Sequence, residues 1–266
     1  MTAMPTRPGR VFLVGAGPGA PDLLTLRAAR LLAAADIVFH DALVHPETLA
    51  LAERAEKVAV GKRCGRHSTV QAFINKRLVD AARKHAVVVR LKGGDPMLFG
   101  RAQEEIDALR AAGIAFEVVP GVTAALAAAA ELGVSLTRRG VSRNVVFATP
   151  RVGDGEAASD WAEPLATADT AAIYMGAGEA AAIAAMLIAR GKPASLPVVA
   201  VENASLRDSR RWTTTLGALP RLADEAFSGP VVLLLGEALR AAVADPDRVR
   251  TDFLEAAEAH LLRAAV

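Results

Sequence analysis

The chain has 266 residues, 52% of them hydrophobic and only 4% aromatic, which is enough apolar mass for one large or two modest domains but too few rings for stacking single-stranded bases. A net charge of +2, with basic residues spread among acidic ones, excludes a nucleic-acid footprint, so an anionic partner must be met by local clusters. A single cysteine, Cys64, excludes a disulfide framework and a thiolate-rich metal site and fits a reducing, cytoplasmic setting.

In chain order, residues 1–10 carry two prolines and charges without a signal-peptide core and read as a disordered leader. Apolar runs at 11–14, 37–40, 57–60, 86–91 and 116–119 predict strands. They alternate with helices at 22–35, 104–112 (ending at Gly113) and 123–132 (closing at Gly133). Strand followed by helix, repeated, implies a mostly parallel sheet in a first domain at 11–136. The small, polar and basic segment at 133–143 then breaks the rhythm.

Strands predicted at 145–149, 171–174, 198–201, 211–215 and 231–235, with helices only at 179–190 and 216–225, imply a second domain at 137–242 with a mixed sheet. The fold class is thus α/β, as two α/β domains facing each other across a cleft. A Gly/Ala/acid loop at 154–159 and a C-terminal helix at 247–265, within a tail at 243–266, complete the reading. The alanine-rich windows at 122–130 and 180–189 are too short to span a bilayer, so no membrane partner is expected. His40, His45, His67, His85 and His260 lack metal-ligand spacing, and no internal repeat is visible.

Two loops carry the chemistry. In V-V-V-R-L-K-G-G-D-P-M-L-F-G-R (87–101) a buried strand ends in a tight polar bend, where ligands of open α/β sheets bind. Gly93 and Gly94 allow close backbone approach, Asp95 adds an acceptor, and Pro96 stiffens the exit. The second loop, G-A-G-P-G-A (15–20), satisfies a dinucleotide pattern with Asp41 placed as a ribose acid, which leaves an NAD(P) oxidoreductase open as a distant alternative. Pro18 and Pro21 each remove an amide that a phosphate cradle would use.

Further motifs follow in order: L-L-T-L (23–26), D-I-V (36–38), V-G-K-R (60–63), V-P-G-V-T-A-A (119–125), L-T-R-R (136–139), Y-M-G (174–176) and V-E-N-A (201–204). With the two loops they resemble the uroporphyrinogen-III C-methyltransferases of the tetrapyrrole (precorrin/corrin) methylase family, over residues 11–236. The resemblance implies a homodimer that binds S-adenosylmethionine as co-substrate in the cleft, without a metal, and releases S-adenosylhomocysteine. It implies uroporphyrinogen III as the substrate, methylated at carbons 2 and 7 to precorrin-2. A different precorrin remains the nearest alternative acceptor, and a carrier that binds the macrocycle without methylating it stays a third possibility.

By match to the family motifs, Asp41 is expected as proton acceptor and Lys62 as proton donor. Pro18, Gly93, Gly94, Asp95, Leu98 (or its neighbour Met97), Thr123, Ala124, Met175 and Ala204 are expected at the cofactor, with the Pro230 turn adjoining. Arg101, Glu104 and Arg139 are expected at the substrate, whose eight carboxylates suit bidentate guanidinium groups. Arg138, Arg143 and Arg151 add nearby charge. The chain departs from the family in reading S-L-T-R-R for P-L-T-H-R at 135–139 and T-P-R for T-G-H at 149–151.

Overall fold

A computed structural model describes residues 8–60, 67–153 and 160–244. Lys62, Cys64, the loop at 154–159 and the helix expected at 247–265 lie outside the described residues. The contacts divide the chain into two compact units. One comprises the described residues of Met1–Ala127, Arg151–Ser159 and Asn203–Ser209; the other comprises those of Ala128–Pro150, Asp160–Glu202 and Arg210–Val266.

The first unit holds β1 (Arg10–Gly15), α1 (Leu26–Ala34), β2 (Ile37–His40), α2 (Pro46–Ala50), β3 (Glu56–Ala59), α3 (His67–Ala82), β4 (Val87–Lys92), α4 (Ala102–Ala111), β5 (Ala115–Val119) and the start of α5 (Ala124–Glu131). The sheet order is β3-β2-β4-β1-β5, and its pairings are parallel, as predicted. The two-residue side-chain period loads both faces. Val11, Leu13, Ile37, Phe39 and Val88 pack with Ile74 and Leu78 of α3 and Ile106 and Leu109 of α4. Val14, Val38, Val89, Leu91 and Val119 pack with Ala28 and Leu32 of α1 on the other face.

Because the strands run parallel, their carboxyl ends bring the loops at 16–20, 41–45, 93–101 and 120–123 to one edge. There the backbone touches itself. Gly17 N donates to Gly94 O at 3.2 Å, Gly94 N to Gly17 O at 2.7 Å, and Ala16 N to Lys92 O at 2.7 Å. A Cβ on Gly15 would lie 2.6 Å from Gly121 Cα and 2.7 Å from Gly94 O, and one on Gly121 would overlap the same Gly94 carbonyl.

The second unit contains β6 (Val145–Ala148), α6 (Ala162–Thr167), β7 (Thr170–Tyr174), α7 (Ala180–Ala189), β8 (Pro197–Glu202), β9 (Arg210–Thr215), β10 (Val231–Gly236) and α8 (Arg240–Ala244). Its order is β6-β7-β10-β8-β9, mixed as expected: β6 pairs with β7 in parallel and the other pairs are antiparallel. Ile173, Ile183, Leu187, Leu216, Leu219 and Leu233 form its core. Among the described residues no helix is long and apolar enough to cross a membrane.

Several predicted elements need correction. The helix expected at 22–35 is a 3-10 turn, Pro21–Leu23, followed by α1, because Thr25 caps α1 with its hydroxyl, 3.1 Å from Ala28 N. The helix expected at 216–225 is a 3-10 segment, Leu216–Asp224, with Pro220 inside it, where the missing N–H forbids a continuous α ladder. Arg10, placed in the leader, opens β1. The helices α2, α3 and α6 were not anticipated.

The glycine seam generates a stability prediction. Gly121→Ala should lower the unfolding free energy by roughly 1–3 kcal/mol, the usual range for overpacking. Gly178→Ala, where an added Cβ meets nothing within 4 Å, should stay within about 0.5 kcal/mol. Urea titration of both variants checks the contrast, and equal losses would contradict it.

Candidate functional site at the carboxyl edge

The loop after β4 is tied to its neighbours by carboxylates. Asp95 Oδ1 accepts from Met97 N at 2.8 Å, closing its own turn, and Oδ2 accepts from Gly121 N at 2.9 Å in the β5 loop. Asp41, at the end of β2, accepts from Leu43 N at 3.0 Å and from Gly93 N at 3.2 Å. One carboxylate thus bridges β4 to β5 and another bridges β2 to β4. Thr123 is buried, and its carbonyl accepts from Leu126 N and Ala127 N to start α5, with Ala124 as the first helical residue.

Pro18 is half-buried in the first glycine loop. The amides around it are already engaged: Ala16 with Lys92 O, Gly17 with Gly94 O, and Ala20 with Ser205 Oγ at 3.0 Å. With Pro18 and Pro21 contributing none, the loop has few donors left for a pyrophosphate, and a 3-10 turn follows in place of the α-helix that the dinucleotide pattern requires. The oxidoreductase alternative therefore loses its physical basis.

Three of the predicted motifs hold non-glycine residues with left-handed backbone: Phe99 and Arg101 (φ 52 and 54), Met175 (φ 56) and Asn203 (φ 52), with Ser205 (φ 74) just after the last motif. Such conformations cost of order 1–3 kcal/mol each and persist where the surroundings over-determine them, often at functional loops. Arg101 caps α4, and its guanidinium forms a two-point ion pair with Glu104, Nε to Oε1 at 2.6 Å and Nη2 to Oε2 at 2.8 Å. Both partners are about half exposed. The structure therefore brings together two residues expected at the substrate, and two of the five guanidinium donors are spent inside the pair. Leu98 is partly buried while Met97 is exposed.

Ala204 is buried in the segment 203–209, which links β8 to β9 and groups with the first unit. Met175 directly follows β7 in the second unit and is 45% exposed. Arg139 and Arg138 are exposed on a tight turn, closed by Arg138 N to Ser142 O at 2.9 Å and Ser142 N to Arg138 O at 2.8 Å. Buried Ser142 pins that turn by donating from Oγ to Leu136 O at 2.9 Å. Residues 138–142, within the polar segment expected as a domain connection, form an ordered, arginine-bearing turn.

Sequence reasoning missed two buried carboxylates. Glu105 accepts from Arg90 Nε and Lys92 Nζ, each at 2.9 Å, and all three side chains are at most 5% exposed. Burial, with the Arg90 guanidinium beside it, holds the Lys92 ammonium pKa below its usual range. Glu202, at the end of β8, accepts from Ser228 N at 2.5 Å, Gly229 N at 2.6 Å and Arg210 Nε at 2.7 Å. Its only sequence cue was the E of V-E-N-A.

The comparisons agree with this geometry. A family model described as Tetrapyrrole (Corrin/Porphyrin) Methylases matches residues 10–220. The chain belongs to this family. As a tetrapyrrole methylase, it is 47% identical over 238 residues to a siroheme synthase of Chromobacterium violaceum, covering 89% of this chain and 51% of that protein. A siroheme synthase of Pseudomonas fluorescens is 45% identical over 234 residues, covering 87% and 50%. The chain thus spans about half the length of the curated relatives it matches. Among solved structures, a uroporphyrin-III C-methyl transferase from Thermus thermophilus, complexed with S-adenosyl homocysteine, is 40% identical with a TM-score of 0.76 and covers 88% of this chain and 100% of that one. A cobalt precorrin-4 methyltransferase is 28% identical with a TM-score of 0.74, covering 86% and 95%.

The Glu202 cluster sets an acid limit. Burial opposes ionisation, but the Gly229 and Ser228 donors and the Arg210 guanidinium outweigh it and hold the carboxyl below its ordinary 4.5. A depressed folded pKa means stability that is present above the ordinary value and lost as pH falls below it. Glu202→Gln should therefore lose roughly 1–3 kcal/mol at pH 7, the range for weakening charge-assisted hydrogen bonds at a buried acceptor. It should also show a shallower loss of thermal stability below about pH 4.5 than the parent chain. Parallel melting curves across pH would refute this.

Proposed function

We propose that the chain is an S-adenosylmethionine-dependent methyltransferase that converts uroporphyrinogen III to precorrin-2 by methylation at carbons 2 and 7. The observation that carries the proposal is the likeness to the Thermus thermophilus enzyme in complex with S-adenosyl homocysteine, which spans that whole chain. The local geometry supports it. A Cβ at Gly94 would find open space, meeting only Thr123 Cα at 3.9 Å beyond its own chain neighbours. A carboxylate beside glycine backbone suits a cationic, hydroxyl-bearing nucleoside, so the residues present fit S-adenosylmethionine. Gly93, Gly94, Asp95, Pro18, Leu98, Thr123 and Ala124 would hold it, joined in role by Met175 and Ala204.

When bound, the co-substrate supplies a sulfonium methyl that is already an activated electrophile. The chain then has to align an electron-rich tetrapyrrole carbon, and orientation of this kind contributes roughly 7–11 kcal/mol. Asp41 is proposed as the acceptor of the proton released after carbon methylation, a role supported by the two backbone donors that fix its carboxylate after β2. Lys62 is proposed as the donor. Arg101, oriented by Glu104, and Arg139 bind substrate carboxylates through guanidinium forks. A homodimer and a cytoplasmic setting belong to the same proposal.

An anaerobic assay with labelled methyl donor and uroporphyrinogen III, read by product mass, tests it. Two methyl additions are expected. No transfer to uroporphyrinogen III, with transfer to a later precorrin, would instead place the chain elsewhere in the family. Asp41→Asn should lower kcat about 100-fold, within the range for general acid-base groups. Arg139→Ala should raise KM about tenfold with kcat little changed. Wild-type kinetics in both variants would remove these roles.

A further inference from the structure

Beneath the strained turn at 99–101 lies a buried charge cluster that the reaction itself does not call for. Lys92 ends β4, and a Cβ on Gly100 would lie 3.1 Å from its Cε, so the lysine stem lies against the turn. Its Nζ reaches Glu105 Oε2 at 2.9 Å, in the first turn of α4. Arg90 holds the other oxygen of Glu105 at 2.9 Å and donates to Leu91 O at 3.1 Å. From α3, Gln71 Nε2 approaches Glu105 Oε1 at 3.5 Å, and Asn75 Nδ2 donates to Glu104 O at 3.1 Å.

Two strand residues and two helix residues therefore converge on 104–105, directly below Arg101. Two cations against one anion, all buried, are a poor way to stabilise a core, because well-packed apolar residues do so without the desolvation penalty. What charged contacts add is direction. Both neighbours of Gly100 are left-handed, a backbone that neither phenylalanine nor arginine favours intrinsically, so the turn depends on what anchors its two ends. Lys92 belongs to the β4 end and Glu105 to the α4 end.

We propose that the Lys92–Glu105 ion pair is a positioning device for acid recognition. It clamps the first turn of α4 to the end of β4, holds 99–101 in its strained form and aims the Arg101 guanidinium at a tetrapyrrole carboxylate. The last clause rests on the proposed function. Lys92 and Glu105 are positioning residues that act through Arg101.

The test uses the full chain and the variants Glu105→Gln, Lys92→Met, Arg101→Ala and Arg101→Ala/Glu105→Gln. Glu105→Gln should raise KM for uroporphyrinogen III about tenfold while kcat and the Kd of S-adenosylhomocysteine stay within about threefold. In the Arg101→Ala background the same change should add less than about twofold, since its route of action is gone. Multiplication of the two effects, or a parallel loss of S-adenosylhomocysteine affinity, would overturn the proposal. If Glu105→Gln does not fold, Lys92→Met, which leaves Glu105 paired with Arg90, takes its place in the cycle with the same expectations.

Amide hydrogen exchange gives a readout independent of substrate. Residues 99–103 should exchange faster in Lys92→Met, with 93–95 unchanged, and unaltered exchange at 99–103 would equally overturn the proposal. A parent chain that leaves uroporphyrinogen III unmethylated counts against the proposed function, while the exchange data still decide the positioning role.

Discussion

Bare backbone contact between Gly15, Gly94 and Gly121 governs the carboxyl edge of the first sheet. At that point the ends of β1, β4 and β5 come closer than any side chain permits, and the Gly17–Gly94 amide exchange locks two of the loops together. Everything else at the edge is built around this approach. Asp95 can span from the β4 loop to the β5 loop only because Gly121 brings its amide within 2.9 Å. Asp41 in turn reaches Gly93 from the next strand. The amides that would bind a phosphate are consumed in the seam, while the carboxylates of Asp41 and Asp95 stand at the same edge.

Buried carboxylates then fix what the seam leaves adjustable. Glu105 ties α4 to β4 beneath Arg101, and Glu202 ties the end of β8 to β9 and to the turn before β10. The strained residues sit beside these anchors: Phe99 and Arg101 next to the first, Asn203 directly after the second. Each buried carboxylate thus has a short stretch of unfavourable backbone near it in the chain. Strain of this kind is stable only when its neighbours are tied down on both sides.

Much of this was legible in the chain. Short β-branched runs bounded by Gly, Asp or His gave all five strands of the first sheet to within a residue or so, and the sparse helices after 145 foretold a mixed second sheet. The helix α3 escaped because its inward stripe of Gln71, Ile74 and Leu78 opens on a polar residue, while Phe73 points outward and blurs the period. Gln71 is inward because Glu105 is there to receive it, a tertiary fact that no local pattern carries. The same holds for the site. Gly93, Gly94, Asp95 and Asp41 were found as strand-end residues, and the structure gathers them at one edge. The i,i+3 spacing of Arg101 and Glu104 was open to a local reading, whereas the partners of the two buried carboxylates depend on distances that sequence spacing does not reveal.

If the edge is a cofactor site assembled by cross-loop carboxylates, Asp95 is its keystone, because it closes the G-G-D-P turn and holds the β5 loop together. Calorimetric titration of S-adenosylhomocysteine into the parent chain and into Asp95→Ala tests this most directly. The parent should bind saturably and the variant at least about 100-fold more weakly, as expected for losing a charged acceptor and its two backbone donors, while remaining folded. Equal affinity in the two proteins would contradict the account.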